Sequence, residues 1–587
     1  MPMRCFSLKL VIPFIAFSFM TERQLEAFTE QEYKKRIYAH LMISDQRSAV
    51  EEAEKALLEY PESKPLQLAY IQALSEKGDQ TEAMQQWSAA STKFEEEKQN
   101  RRMLELLAWG ILNKGESSNQ LNVRFNAMLG AAFTQDAKAI PILLRQMRNS
   151  NALLRSIAVK LATSFGDASL KDEITRLLKE EKVWYVRLDV IQAVGKLHMH
   201  EFKDELKEII GNPRTLVEEK AAAIVSLVSM YDMIEREELL SLVQSDRAGL
   251  RQLAAEVITH LNLIQELDLL LPLLRDSSSD VRILALNALA LMRIERIGSV
   301  RISELVEPNL TNISAEVAIT AAYVLLLHDE NKGSQYLYPW LKSQNPQWRR
   351  LSSAALAASG KYGLKLAIKE FIETEDPYVK VNLALGLIGQ RTQVKMACDA
   401  IHKTFSREKN TLWMWDSQSN PLFRSLAPSR VKHIEHIPHY PAVVDQLAKL
   451  DLLSILSILH YPDAQMAVRE FLQTRTWGVT GAAAATLLQE GDEEDLAAVR
   501  GLLTDPDEKI RVQAAMILAI IGSDPSAVKV LQEAYSHVDR EMKVHILEAL
   551  AHIGDPNCIP FLLDVLKEPF QVLHVVSASA LIQCLYH

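Results

Sequence analysis

A basic residue returns along this chain at nearly constant intervals, and that interval constrains the fold more than any other feature. Arg or Lys stands at 124, 155, 187, 220, 251 and 282, then at 349, 380, 511 and 543. The steps from 124 to 155, 155 to 187, 187 to 220 and 220 to 251 are almost equal, with wider gaps where units depart from the pattern. The surrounding strings resemble one another: Leu154-Arg155-Ser-Ile-Ala-Val, Val186-Arg187-Leu-Asp-Val-Ile, Leu250-Arg251-Gln-Leu-Ala-Ala, Val281-Arg282-Ile-Leu-Ala-Leu and Ile510-Arg511-Val-Gln-Ala-Ala. Asp generally lies a few residues upstream, as at Asp246, Asp276, Asp376, Asp505 and Asp539, and a Gly-Asp turn often follows, as at Gly166-Asp167 and Gly554-Asp555. A period of this length fits helix, tight turn, helix, turn.

The apolar pattern within a unit is helical. Ile142, Leu143, Leu144 and Met147 recur at helix spacing in a first helix, and Ala158, Leu161 and Ala162 in a second. One such hairpin cannot bury both of its faces, so units must stack. The expected fold is all-α: a right-handed solenoid of stacked helical hairpins. The turn Asp is expected to cap the second helix. The basic residue opposes that helix's dipole and therefore needs a carboxylate from its own or an adjacent unit. Arg155, Arg187, Arg251, Arg282, Arg349 and Arg511 are accordingly read as a structural ladder, with Asp276 or Asp280 pairing Arg282 and Asp505 or Asp507 pairing Arg511. The basic residue is replaced by Ala318 in one unit and by Thr480 in another.

These strings resemble HEAT repeats, especially the bacterial type of phycobilisome lyase-like proteins, over about residues 118–587. The resemblance implies a solenoid and is nearly silent on function, because that fold serves many tasks. A second periodicity precedes it. Ala49, Ala53 and Ala56 are echoed at one constant offset by Ala83, Trp87 and Ala90, with Gly78 ending a helix. Residues 30–117 thus resemble tetratricopeptide helices. The domain reading is a leader at 1–20, tetratricopeptide-like helices at 30–117, a HEAT-type array at 118–405, an irregular insertion at 406–442 and a second part of the array at 443–587.

The leader has Arg4 and Lys9 before an apolar run from Leu10 to Met20, with Ala16-Phe17-Ser18 as a small-x-small site. It reads as a signal peptide, which places the chain in an exported or periplasmic location if it is cleaved and in the cytoplasm if it is not. The run is too short for an integral membrane span.

The insertion interrupts the helical pattern with Trp413, Trp415, Phe423, Arg424, Arg430 and Tyr440, among Pro421, Pro428, Pro438 and Pro441. Aromatic and Arg content of this kind suits a binding surface. The alternative is a loop folded back over a groove between repeats. His433, His436 and His439 do not make a metal site, since Pro438 breaks their register and no fourth ligand stands nearby. Four scattered cysteines give neither a disulfide framework nor a zinc pattern.

No nucleotide, zinc-protease or hydrolase motif occurs. Deoxyhypusine hydroxylase-like HEAT proteins carry several His-Glu pairs; here only His200-Glu201 occurs, and His552 follows Ala551 and precedes Ile553. A net charge of −10 disfavours a nucleic-acid partner and a HEAT-type DNA glycosylase. The functional expectation is a non-catalytic scaffold for protein partners, without cofactor; the alternative is a HEAT-type lyase-like modifying enzyme. The final helix, with Val575 and Leu581, is apolar almost all round. It is expected to dock on a partner or on a second copy of the chain.

Overall fold

The computed structural model describes residues 28–407, 413–416, 420–428, 452–456, 458–459, 488 and 493–586. The leader, Thr480, Arg430, Tyr440 and the three insertion histidines lie outside the described residues. Helices dominate, and the protein is an all-α solenoid; the described strands form two short two-stranded pairings. Two compact units divide between Gly110 and Ile111.

In the first unit, helices Glu30–Met42 and Gln46–Glu59 are followed by Lys64–Lys77 and Gln80–Lys93, so corresponding helices start at one constant offset, 30 to 64 and 46 to 80. Ala49, Ala53 and Ala56 of one hairpin and Ala83, Trp87 and Ala90 of the other are buried at the helix contacts. Gly78 takes φ 85° at the end of its helix, a left-handed cap that favours glycine.

The second unit stacks helical hairpins from Leu121 onward. Second helices such as Ala152–Ala162, Trp184–Lys196, Val217–Met230 and Ala248–His260 pack on one another from repeat to repeat in an unbroken row. Some second helices are capped by the turn residue expected, Asn151 accepting from Leu153 and Leu154 N–H, Asp376 from Tyr378 and Val379, and Asp539 from Met542; Trp184–Lys196, Val217–Met230 and Ala248–His260 start without a side-chain cap.

The ladder has a more specific geometry than its spacing disclosed. Each of seven basic residues donates to the backbone carbonyl six positions upstream: Arg124 to Ser118, Arg155 to Asn149, Arg187 to Glu181, Arg251 to Ser245, Arg349 to Ser343, Lys380 to Thr374 and Arg511 to Asp505. That carbonyl closes the turn after the first helix, where acceptors are left without intrahelical donors. The carboxylate then comes from the next repeat. Arg155 bridges to Glu181 at 2.7 and 2.9 Å, Arg187 to Glu219 at 3.1 Å, Arg349 to Asp376 at 3.0 Å and Lys543 to Glu568 at 3.3 Å. Arg251 reaches Asp276 at 2.5 and 2.8 Å.

Two expected pairs are therefore corrected. Asp276 serves Arg251 of the preceding repeat, not Arg282, whose Nε is buried without a hydrogen-bond partner. Asn309 lies where the next repeat would supply an acid, and it donates to Leu274 O. Arg511 meets the carbonyls of Asp505 and Pro506 rather than either carboxylate. The stretch where the following repeat would place an acid for it, Ser536-His537-Val538, holds none.

The expectation for the end of the chain is corrected as well. The last helix, Gln571–Tyr586, packs with one side on Arg540–Ile553 and Ile559–Val565 and with another on Leu121–Phe133, the first helix of this unit's stack. Val575 and Leu581 are buried, at 2% and 0% exposure. Ser579 Oγ donates to Gly130 O at 3.0 Å and Gln583 Nε2 to Phe133 O at 2.8 Å. A helix apolar all round needs cover on all sides, and the chain supplies it from its own distant beginning. Val575 and Leu581 present no surface to a second copy.

Candidate binding groove

Five residues on from the successive unit positions 155, 187, 220, 251, 282, 318, 349 and 380 stand Lys160, Gln192, Val225, Glu256, Asn287, Tyr323, Ala354 and Leu385, one row along the second helices. The first three are exposed, Glu256 is half-buried, and Asn287 and Tyr323 are buried. What covers the row from Asn287 onward is the insertion. Strand Trp413–Asp416 pairs antiparallel with Ser425–Pro428, with Trp413 opposite Pro428 and Asp416 opposite Ser425. This hairpin lies on helices Pro346–Ala358 and Pro377–Gly389.

Polar side chains standing in nearly all-apolar helices hold it. Asn287 of Ser279–Met292 exchanges two amide hydrogen bonds with Asn420, at 3.1 and 3.2 Å. Asn420 Nδ2 also donates to Thr320 Oγ1 of the Ala315–His328 helix at 2.9 Å. Leu426 N–H donates to Asn382 Oδ1 at 2.9 Å, and Asn382 is itself fixed by donating to Ser353 Oγ at 3.1 Å. All of these side chains are buried, so each depends on the others for its hydrogen bonds. Three second helices thus hydrogen-bond the insertion, two at the Asn420 side chain and one at the Leu426 N–H, and Pro346–Ala358 packs against it.

Aromatic side chains anchor the segment. Trp413 is fully buried edge-on to Tyr378, with ring centroids 5.9 Å apart, and Phe423, 4% exposed, meets Tyr323 at 5.3 Å. Burial pushes the Tyr323 hydroxyl pKa up. The Arg350 guanidinium lies 6.0 Å from the Tyr378 ring; burial lowers its pKa, with Asp376, Tyr378 and Asp416 opposing that shift.

Of the insertion residues read as partner contacts, Trp413 and Phe423 therefore fill the chain's own groove, because the row beneath them is apolar and aromatic. Trp415 is half-buried and Arg424 exposed. Asn287, Thr320, Asn382 and Asn420 were not singled out from the sequence. Their signal was a lone amide or hydroxyl inside strings such as Leu286-Asn287-Ala288-Leu289 and Val381-Asn382-Leu383-Ala384, which a buried helix carries only when something polar meets it.

Among the described residues, no group of three or more His, Cys, Asp or Glu side chains could hold a metal, and no helix is long and apolar enough to cross a membrane. Cys398, Cys558 and Cys584 are buried as free thiols.

Residues 499–582 match the family model for HEAT repeats, and the class this architecture defines is the all-α solenoid of stacked helical hairpins. No curated protein matches the sequence. Among solved structures, the chain is similar to the karyopherin Kap121p bound to the extreme C-terminus of the protein phosphatase Cdc14p, with 12% identity, 93% of this chain and 69% of that one covered, and a TM-score of 0.30. It is also similar to the myosin chaperone UNC-45 from C. elegans in complex with an Hsp90 peptide, with 12% identity, 91% and 72% covered, and a TM-score of 0.36.

Proposed function

We propose that this protein is a non-catalytic scaffold that holds extended segments of partner proteins along the row of second helices. The observation that carries this reading is the hairpin itself: the second helices already hold a segment of chain in cis, through Asn287 of the row and through Thr320 and Asn382 beside it. The same register continues uncovered through Val225, which is 69% exposed, Gln192 and Lys160. Asn382 bonds main chain, at the Leu426 N–H, a contact with little demand on sequence, whereas Asn287 and Thr320 read the side chain of Asn420.

A photo-crosslinking residue placed at Gln192 or Val225, and at Ile372 on the outer helix Leu364–Glu373 as a control, tests the reading in cells of the source organism. The expected result is a small, reproducible set of crosslinked polypeptides from the row positions and none of that set from Ile372. Row positions that crosslink nothing above the unirradiated level would refute it.

A further inference from the structure

Beside the hairpin, between Pro346–Ala358 and Pro377–Gly389, lies an open cleft of about 300 Å³. Its floor is made by small residues, among them Ala354, Ala357, Gly386 and Gly389, and one wall by Phe423. Ala354 and Leu385, which lines it too, are the members of the row that follow Tyr323, so the cleft continues the surface that grips the hairpin. At the small end of the ~300–1,000 Å³ range of ligand sites, it suits one apolar side chain rather than a cofactor.

The polar character of the cleft is one-sided. Arg424 lines it, is exposed, and makes no hydrogen bond or ion pair with the described residues. Gly360 and Gln390 line it, and each is followed in sequence by an exposed cation, Lys361 and Arg391. No lining residue is acidic. In a chain of net charge −10, an apolar cleft whose one charged lining residue among those described is the exposed Arg424 favours an anionic visitor. Phe423 holds the neighbouring backbone in place, so Arg424 is presented from an anchored loop rather than a free one.

We infer that this cleft is a recognition pocket for an apolar side chain flanked by carboxylates, in an extended segment of a partner protein, and that Arg424 pairs with a flanking carboxylate. The inference rests on the scaffold reading and adds the chemistry of what is held. Filling the cleft is the direct perturbation: Gly389 lines it and a Cβ built there meets nothing within 4 Å, so Gly389→Leu is the substitution that adds apolar volume at the cleft with no clash at Cβ.

The probe is a fluorescein-labelled glycine- and serine-based nonapeptide with a central leucine between two glutamates, its binding followed by anisotropy. Two companions carry glutamines for the glutamates, or glycine for the leucine. The acidic leucine peptide should bind, and its glutamine form about fivefold more weakly, as an exposed ion pair allows. Removing the leucine or introducing Gly389→Leu should cost more than about tenfold. Arg424→Gln should shrink the glutamate–glutamine difference to less than about twofold, and raised salt should do the same. Far-UV circular dichroism checks that both variants keep the wild-type fold. The inference is overturned if the acidic peptide fails to bind wild-type protein at millimolar concentration, or binds Gly389→Leu equally well. Crosslinks from Val225 that persist while the peptides fail leave the scaffold standing and remove only the pocket; loss of those crosslinks removes the scaffold itself.

Discussion

Bringing the last helix onto the first helix of the second unit's stack depends on close backbone approach at Gly130. A Cβ added there would sit 2.8 Å from Ser579 Cβ and 3.1 Å from its Oγ. Gly130→Ala therefore forces the two helices apart. The overpacking costs about 1–3 kcal/mol, and lengthening the Ser579 Oγ–Gly130 O bond forfeits about 1 kcal/mol more. The expected loss is roughly 2–4 kcal/mol, set against a helix whose buried Leu573, Val575, Leu581 and Leu585 each contribute about 1.5–3 kcal/mol. The contact should loosen without the rest of the array melting.

A global melting point is a poor reporter of this, because long repeat arrays do not unfold as one unit. Hydrogen exchange is the appropriate assay. Amides of Gln571–Tyr586 and Leu121–Phe133 should exchange about thirty- to several-hundredfold faster in Gly130→Ala, with helices in mid-array unchanged. Ser579→Gly removes the atom that clashes, so Gly130→Ala with Ser579→Gly should recover protection beyond the additive expectation. Faster exchange that is additive in the double variant, or no change in Gly130→Ala, would refute the closely packed contact.

Other consequences follow from the ladder and the leader. Arg251→Gln leaves Asp276, 5% exposed in its side chain, without its partner and should cost about 3 kcal/mol locally, whereas Arg511→Gln loses only hydrogen bonds to carbonyls and should cost about 1 kcal/mol; chemical denaturation of each variant compares them. On acidification, burial alone would raise the Glu181 and Asp276 carboxyls, but Arg155 and Arg251 with nearby backbone N–H groups hold both below the ordinary range. A lowered folded-state pKa means that their stabilisation is complete above the unfolded value of about 4 and disappears as pH falls through the folded values. Equilibrium denaturation between pH 7 and pH 2 should show the decline confined to the acid side, and less of it in Asp276→Asn. Expressed in a bacterium, the chain should lose about eighteen N-terminal residues, read from its intact mass; an unprocessed product would exclude export by this leader.

The helical hairpins and their period were legible in the sequence, because stacking imposes the same side chain at the same place in successive units. The partner of each arginine was harder to read. Where a carboxylate is met, pairing runs to the next repeat, and the upstream carbonyl that seven of the basic residues bond has no sequence signature at all. The contact between the two ends of the stack was illegible for a different reason. Whether Ser579 meets Gly130 depends on small rotations accumulated over many repeats, and no local pattern records their sum. For the groove the signal existed but pointed to no location: Asn287 and Asn382 announce that something polar meets them, not that Asn420 and the Leu426 N–H do.

The register separates what holds the array together from what it can hold. A ladder residue faces the turn and, where the next repeat supplies one, its carboxylate; the residue five positions on faces the groove. Because the ladder bonds a backbone carbonyl that any sequence supplies, its geometry sets no requirement on that fifth residue, and the chain uses the freedom fully. From Lys160 to Leu385 the row runs through Lys, Gln, Val, Glu, Asn, Tyr, Ala and Leu, polar, charged, aromatic and aliphatic in turn. Where no hairpin covers it, substitution should be nearly free for the fold: Val225→Lys, at an exposed position, should change stability by no more than about 0.5 kcal/mol. The same change should alter which polypeptides crosslink from Gln192, one repeat away. If Val225→Lys instead destabilises the array by several kcal/mol, the row is part of the framework, and the division between ladder and groove is wrong.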